Sequence, residues 1–155
     1  MTVYLSFGTN LGDRENNLSS ALAELDRRLL RAPERVSSFL ETPAWGFEGP
    51  DFLNCAVCYE LERPWTPTRL LDACQAIERK LGRHGAPEWD SDGRRIYHDR
   101  PIDIDILFWG TRHVRTTRLE IPHPLIAQRD FVLIPLREIA DDEIMRAFPE
   151  IFATK

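Results

Sequence analysis

No stretch of this sequence approaches the ~20 consecutive apolar residues of a membrane-spanning helix. Its start, Met1-Thr2-Val3-Tyr4-Leu5-Ser6, lacks the charged region and long apolar run of a secretory leader. The expectation is a cytoplasmic protein that does not cross a membrane. Cysteine is scarce: Cys55, Cys58 and Cys74 are an odd number in a chain this long, which excludes a disulfide framework. Cys55 and Cys58 have the spacing of a redox or zinc pair, but they fall in a segment patterned as a strand. Alternation there sends them to opposite faces, so all three are read as structural. Positive charge is not in excess either, with 20 Lys and Arg against 25 Asp and Glu and a net charge of -5. That balance counts against a nucleic-acid partner, and an anionic substrate needs a local basic cluster. No repeat, low-complexity segment or linker divides the 155 residues, so residues 1–155 are read as one domain with its own core, expected to act as a monomer.

What is present is strong patterning. Thr2 to Phe7 alternates strand formers and runs into the turn and helix N-cap residues Gly8-Thr9-Asn10-Leu11-Gly12-Asp13. Leu18, Leu22, Leu25, Leu29 and Leu30 then recur at helical steps, which predicts one apolar helix face. Val36 to Thr42 and Phe52 to Leu61 read as strands flanking the apolar loop Pro43-Ala44-Trp45-Gly46-Phe47-Glu48-Gly49-Pro50. Pro64 and Pro67 bracket a second helix start. Its face is Leu70, Leu71, Cys74, Ile77 and Leu81, and Gly82 closes it. Residues 83–100 are polar and carry Arg83, Arg94, Arg95 and Arg100. A loop of that length inside a compact domain suggests a lid. Ile102 to Trp109 reads as a strand, Gly110-Thr111 as a turn and Asp130 to Ile139 as a last helix. The order β-α-β-β-α-β predicts an α+β, ferredoxin-like (split βαβ) antiparallel sheet with packed helices.

Three constellations carry chemistry. In Arg100-Pro101-Ile102-Asp103-Ile104-Asp105-Ile106-Leu107, alternation puts both aspartates on one strand face and the isoleucines on the other. On spacing alone this fits a solvated strand face as well as a metal site. The arginine-rich segment just before it favours a magnesium-bound polyphosphate, whose charge metals and arginines neutralise. His123, between Pro122 and Pro124, forms a second polar cluster with Arg118 and Arg129, several donors of the kind anion recognition needs. Thr42, Trp45, Phe52 and Asn54 offer aromatic faces and an amide together, which suits a flat heteroaromatic ring. Trp45 and Phe52 fit ordinary packing too.

Taken in order, these motifs resemble the 6-hydroxymethyl-7,8-dihydropterin pyrophosphokinase family over essentially the whole chain. The resemblance rests on Gly8-Thr9-Asn10-Leu11-Gly12-Asp13-Arg14, Ser37-Ser38-Phe39 leading to Thr42-Pro43, Asp51-Phe52-Leu53-Asn54, Ile77-Glu78 with Gly82-Arg83, Arg100 to Asp105, Ile121-Pro122-His123-Pro124 and Arg129-Asp130-Phe131. It implies pyrophosphoryl transfer from ATP to the hydroxymethyl oxygen of the dihydropterin, with AMP as the other product, in folate biosynthesis. It implies Asp103 and Asp105 as catalytic ligands of two Mg2+ ions, with ATP as co-substrate. Phe52 and Phe131 would then sandwich the pterin, Thr42 and Asn54 would meet its edge, and Trp45 would lie in the loop closing near it. Gln75, Glu78, Arg83, Arg100, Ile106, Arg118, His123 and Arg129 match nucleotide contacts, with Arg83 and Arg100 also catalytic at the ends of the mobile segment. Where the family often has a basic residue and tryptophan followed by Gly-Pro before that arginine, this chain has Ile96-Tyr97-His98-Asp99. Tyr97 then takes the stacking position, and Arg94 or Arg95 supplies the displaced charge.

Such transfer asks mainly for alignment and charge neutralisation, and a metal that also meets the pterin hydroxyl lowers its pKa, so no protein general base is required. Two rivals share parts of the pattern. A ferredoxin-like nucleotide-binding module, as in RNA-binding domains, would show a basic, aromatic strand motif that is not found here. A magnesium-dependent nuclease or nucleotide hydrolase needs the aspartates but no second planar pocket.

Overall fold

The computed structural model describes residues 1–43, 50–82, 88–89, 95–96 and 101–153. The first strand, β1 (Thr2–Thr9), leads into helix α1 (Arg14–Leu29). The Asp13 carboxylate starts that helix by accepting the Asn16 N–H at 3.1 Å, with Glu15 in the first turn and Arg27 and Arg28 in the last complementing the helix dipole. Leu18, Leu25 and Leu29 are buried and Leu22 packs at their margin. Leu30 does not join them. It ends the helix in a left-handed conformation (φ 56°), its N–H bonded to the Asp26 carbonyl, and is 89% exposed.

Short strands β2 (Arg35–Val36) and β3 (Leu40–Thr42) precede the long strand β4 (Phe52–Glu60). The expected single strand over Val36 to Thr42 is thus split. At the break, Ser37 N–H donates to the Ala56 carbonyl and the Ser37 Oγ accepts the Ala56 N–H at 2.8 Å, so a side chain replaces a ladder carbonyl and the edge bends. Helix α2 (Pro67–Lys80) starts on Thr66, whose hydroxyl accepts the Arg69 N–H, with Pro67 at its first position. It buries Leu70, Cys74 and Ile77. Within the polar segment expected to be a loop, β5 (Glu88–Trp89) and β6 (Arg95–Ile96) form a two-residue antiparallel ladder.

Strand β7 (Asp103–Trp109) is followed by the hairpin of β8 (Val114–Arg115) and β9 (Glu120–Ile121) and a single 3-10 turn over Ile126–Gln128. Helix α3 (Asp130–Ile139) ends the expected elements, and α4 (Asp142–Ala147) and α5 (Pro149–Phe152) continue beyond them.

The main sheet runs β2-β4-β1-β7, with β3 also on β4, and every pair is antiparallel. The strand that follows α1 therefore lies beyond β4 rather than beside β1, which is the ferredoxin-like split βαβ arrangement. One sheet face, with Val3, Leu5, Phe7, Cys55, Val57, Ile102, Ile104 and Ile106, packs on α1 and α2. The other, with Tyr4, Ala56, Cys58, Leu107 and Phe108, packs on α3, α4 and α5. Cys55 and Cys58 fall on opposite faces, and all three thiols are free and buried. Burial pushes the Cys55 thiol up to about 12. Strict alternation along β7 holds only to Ile106. Leu5 faces Ile106 but Tyr4 faces Phe108, so Leu107 is an extra residue in the ladder and lies with Phe108 in the second core.

Candidate active site

The second sheet face changes character along its strands. Its far end is covered by α3 and α4, and β2 is tied to them there. The Tyr4 hydroxyl accepts from Arg35 Nη2 (3.2 Å) and from the Asp141 N–H (3.1 Å), and Arg35 Nε donates to the Ile139 carbonyl (2.8 Å). The near end carries polar side chains instead. Leu40 pairs with Asn54, Asn54 with Gly8, and Gly8 with Asp103, which makes one row across β3, β4, β1 and β7. In the next row Ser6 lies between Ala56 and Asp105. At a strand spacing near 4.8 Å, Asn54 and Asp103 sit roughly 10 Å apart on one face with only glycine between them.

Each member of the row is positioned. Asn54 is buried (2% exposed), and its Nδ2 donates to Thr42 Oγ1 (2.9 Å) and the Leu40 carbonyl (3.3 Å). Thr42 pairs with the half-buried Phe52. The approach to Phe52 is clamped from the loop after β1 and the first residue of α1: Asn10 Nδ2 donates to the Pro50 carbonyl (3.2 Å), and Arg14 donates to the Asp51 carbonyl and to Glu41 (2.9 Å each). Asp103 and Asp105 share the face and are partly exposed, and Ile102, Ile104 and Ile106 point into the core behind them, as alternation predicts. Glu78 of α2, 6% exposed, accepts the Ile104 N–H at 2.9 Å and so fixes the peptide between the two aspartates at the sheet edge.

The third cluster reaches β7 from the C-terminal side. The His123 N–H donates to the Leu107 carbonyl (3.1 Å), and its Nδ1 accepts the Leu125 N–H (3.2 Å), which puts the ring proton on Nε2. Burial and the Arg129 guanidinium hold this imidazole below its ordinary value, against the opposing pull of Asp103 and Glu120. At neutral pH the ring is therefore an uncharged donor within the electrostatic reach of Asp103. The Arg129 guanidinium lies over the Phe131 ring, 5.7 Å from its centre, at the start of α3. Arg118 Nη2 donates to Gln75 (3.0 Å) and to Asp72 (2.8 Å), an acid the sequence reading passed over because nothing local distinguishes it from a solvated helix residue.

Thr42, Phe52, Asn54, Asp103, Asp105, His123, Arg129 and Phe131 thus lie on or beside one sheet face, while Gln75 and Arg118 meet along α2. Ile106 is the exception in kind: its side chain belongs to the core, leaving only its main chain for a nucleotide. Trp45, Arg83, Arg100, Tyr97 and Arg94 lie outside the described residues, as does the side chain of Arg95. Among the described residues no three His, Cys, Asp or Glu side chains converge as a metal cage. Two adjacent carboxylates on an open face still fit magnesium, a hard cation that takes oxygen donors and shares its remaining positions with water and substrate phosphates.

The family model for 7,8-dihydro-6-hydroxymethylpterin-pyrophosphokinase matches residues 4–141. A 2-amino-4-hydroxy-6-hydroxymethyldihydropteridine pyrophosphokinase of Porphyromonas gingivalis is 49% identical over 140 residues, covering 89% of this chain and 90% of that protein. Proteins of the same name from Bacillus subtilis and Aquifex aeolicus are 38% identical over 137 residues and 35% over 144. They cover 88% and 92% of this chain and 76% and 82% of their own lengths.

Proposed function

This chain belongs to the 7,8-dihydro-6-hydroxymethylpterin-pyrophosphokinase family, and we propose that it joins its two substrates across the row formed by Asn54, Gly8 and Asp103. The reaction is the ATP-dependent transfer of pyrophosphate to 6-hydroxymethyl-7,8-dihydropterin, a step of folate biosynthesis. The pterin lies on the Asn54 side, its edge read by Thr42 and Asn54 and its faces by Phe52 and Phe131. The triphosphate lies on the Asp103 side, met by Arg129, the Nε2–H of His123 and Arg118. The observation that carries this reading is the pairing of Asn54 and Asp103 with the two edges of Gly8, which leaves a single strand between a ring-reading amide and a paired-carboxylate site.

Asp103 and Asp105 would hold two magnesium ions, with ATP supplying further oxygens. Bound there, magnesium neutralises the triphosphate and acidifies the attacking hydroxyl. The protein's own share is alignment. Glu78 fixes the strand that carries the acids, Asn54 fixes the ring, and the cationic groups take up charge that develops on the α,β-bridging oxygen as the hydroxyl attacks the β-phosphorus and AMP departs. Arg83 and Arg100, at the two ends of the segment 83–100, are assigned to the phosphates. Trp45 is assigned to the pterin side and Gln75 to the nucleotide.

Incubation with magnesium, ATP and the hydroxymethyl-dihydropterin should yield AMP and the dihydropterin diphosphate in equal amounts. Release of ADP, or AMP formation that does not depend on the pterin, would point instead to a nucleotide hydrolase and defeat the assignment.

A further inference from the structure

We infer that Gly8 is a positioning residue for the pterin: its missing side chain keeps the Asn54 amide in its ring-reading orientation and leaves the floor open between the two halves of the site. This rests on the assignment of Asn54 to the pterin edge. Gly8 is the middle member of the row, with Asn54 on one side and Asp103 on the other. It is not among the glycines with positive φ, which are Gly12, Gly82 and Gly110. Its backbone is therefore open to any L-residue, and the demand for glycine is one of space.

The space is specific. A Cβ at position 8 would come 2.9 Å from Asn54 Oδ1 and 3.6 Å from Phe52 Cδ1, two groups assigned to the pterin pocket. The first contact is shorter than carbon and oxygen tolerate, so something must move. What moves is the end of a side chain rather than backbone, which lets the fold survive. That end is not idle, however. The amide Nδ2 is committed to Thr42 Oγ1 and the Leu40 carbonyl, an arrangement that turns Oδ1 toward Gly8. Swinging Oδ1 away from a methyl group breaks those bonds inside a buried site and leaves polar groups unpaired. The methyl would also stand on the direct line from the pterin edge to Asp103, along which the hydroxymethyl arm must reach the phosphate.

The test is a double-mutant cycle on Gly8→Ala and Asn54→Ala, read as 6-hydroxymethylpterin binding with magnesium and α,β-methylene-ATP present. Gly8→Ala alone should weaken pterin binding about tenfold or more, the cost of at least one lost hydrogen bond, while the affinity for the nucleotide analogue stays the same. In the Asn54→Ala background, where the obstructing oxygen is gone, the same substitution should cost less than about twofold. Unchanged pterin binding in Gly8→Ala, or an equal loss in both backgrounds, would overturn the inference. If Gly8→Ala fails to fold, recovery of folding in the double variant supports the clash, and failure of both variants overturns it. Normal pterin binding by Asn54→Ala would sink the assignment of Asn54, and the inference with it. Weak binding by Asn54→Ala beside normal binding by Gly8→Ala would sink the Gly8 inference alone.

Discussion

One sheet face serves two purposes along the same three strands. At one end Tyr4, Cys58 and Phe108 are covered by α3, α4 and α5, with Phe108 stacked 5.2 Å from Phe148 and Tyr4 edge-on at 6.0 Å. Five or so residues along, Gly8, Asn54, Asp103 and Asp105 carry polar groups and a gap. The cover ends because α3 begins at Asp130, with Arg129 and Phe131 at the boundary. The difference teaches that the covered end holds the frame while the open end spends none of its side chains on the core. The open end is free to do so because the isoleucines on the opposite face of β7 already anchor that strand.

This contrast is testable from its strongest consequence down. Asp105→Asn, at the open end, should lower kcat on the order of a thousandfold, as loss of a group that neutralises transition-state charge does, and leave the melting temperature within a few degrees. Steady-state kinetics with a thermal melt measures both, and unfolding of this variant would break the division. Phe108→Ala, at the covered end, should cost about 3 kcal/mol or more of stability, read by urea titration, with nearly normal KM for both substrates below the melt. Loss of substrate affinity in the folded variant would show that the two ends are not separable.

The smallest effect belongs to the other side of the sheet. There Glu24 of α1 accepts from Lys80 of α2 at 2.6 Å and from Arg27 at 2.8 Å. The Lys80 ammonium, aided by Arg27 and Arg28, holds the Glu24 carboxyl below its ordinary 4.5. A lowered folded-state value means that this joint contributes stability above pH 4.5 and loses it as pH falls through the depressed value. Glu24→Gln should therefore be slightly less stable than the parent near neutral pH, and the gap should close on acidification with activity unaffected throughout. A gap that widens toward acid would mean that folding raises the Glu24 carboxyl rather than lowering it.

Much of the frame was legible. The leucine spacing of α1, the capping residue Asp13, the helix start near Pro67, the opposed cysteines and the shared face of Asp103 and Asp105 all follow from local signals and periods of 3.6 and 2 read within a few residues. The misreadings have two causes. Leu30 fits the helical spacing yet leaves the helix in a left-handed turn, Ser37 breaks an apparently continuous strand by bonding to β4, and Leu107 adds a residue against β1. Leu30 is decided by a local left-handed cap, its N–H on Asp26, whereas Ser37 and Leu107 are decided by partners far along the chain that override the local period. Asp72 gave no signal because its meaning lies in Arg118, and Gly8 gave only a motif because its meaning lies in Asn54.

Local chemistry by itself determined the class of fold, the order of its elements, the pairing of acids on one strand face and the kinds of side chain available for a ring and for phosphates. Only the tertiary structure decided which of them are neighbours: that Asn54, Gly8 and Asp103 form a row, that Glu78 grips the peptide between two aspartates, and that His123 is held neutral beside Arg129. Strand register and helix docking are settled by packing between segments far apart in the chain, and a one-residue slip of β4 or β7 would send Asn54 or the two aspartates to the wrong face.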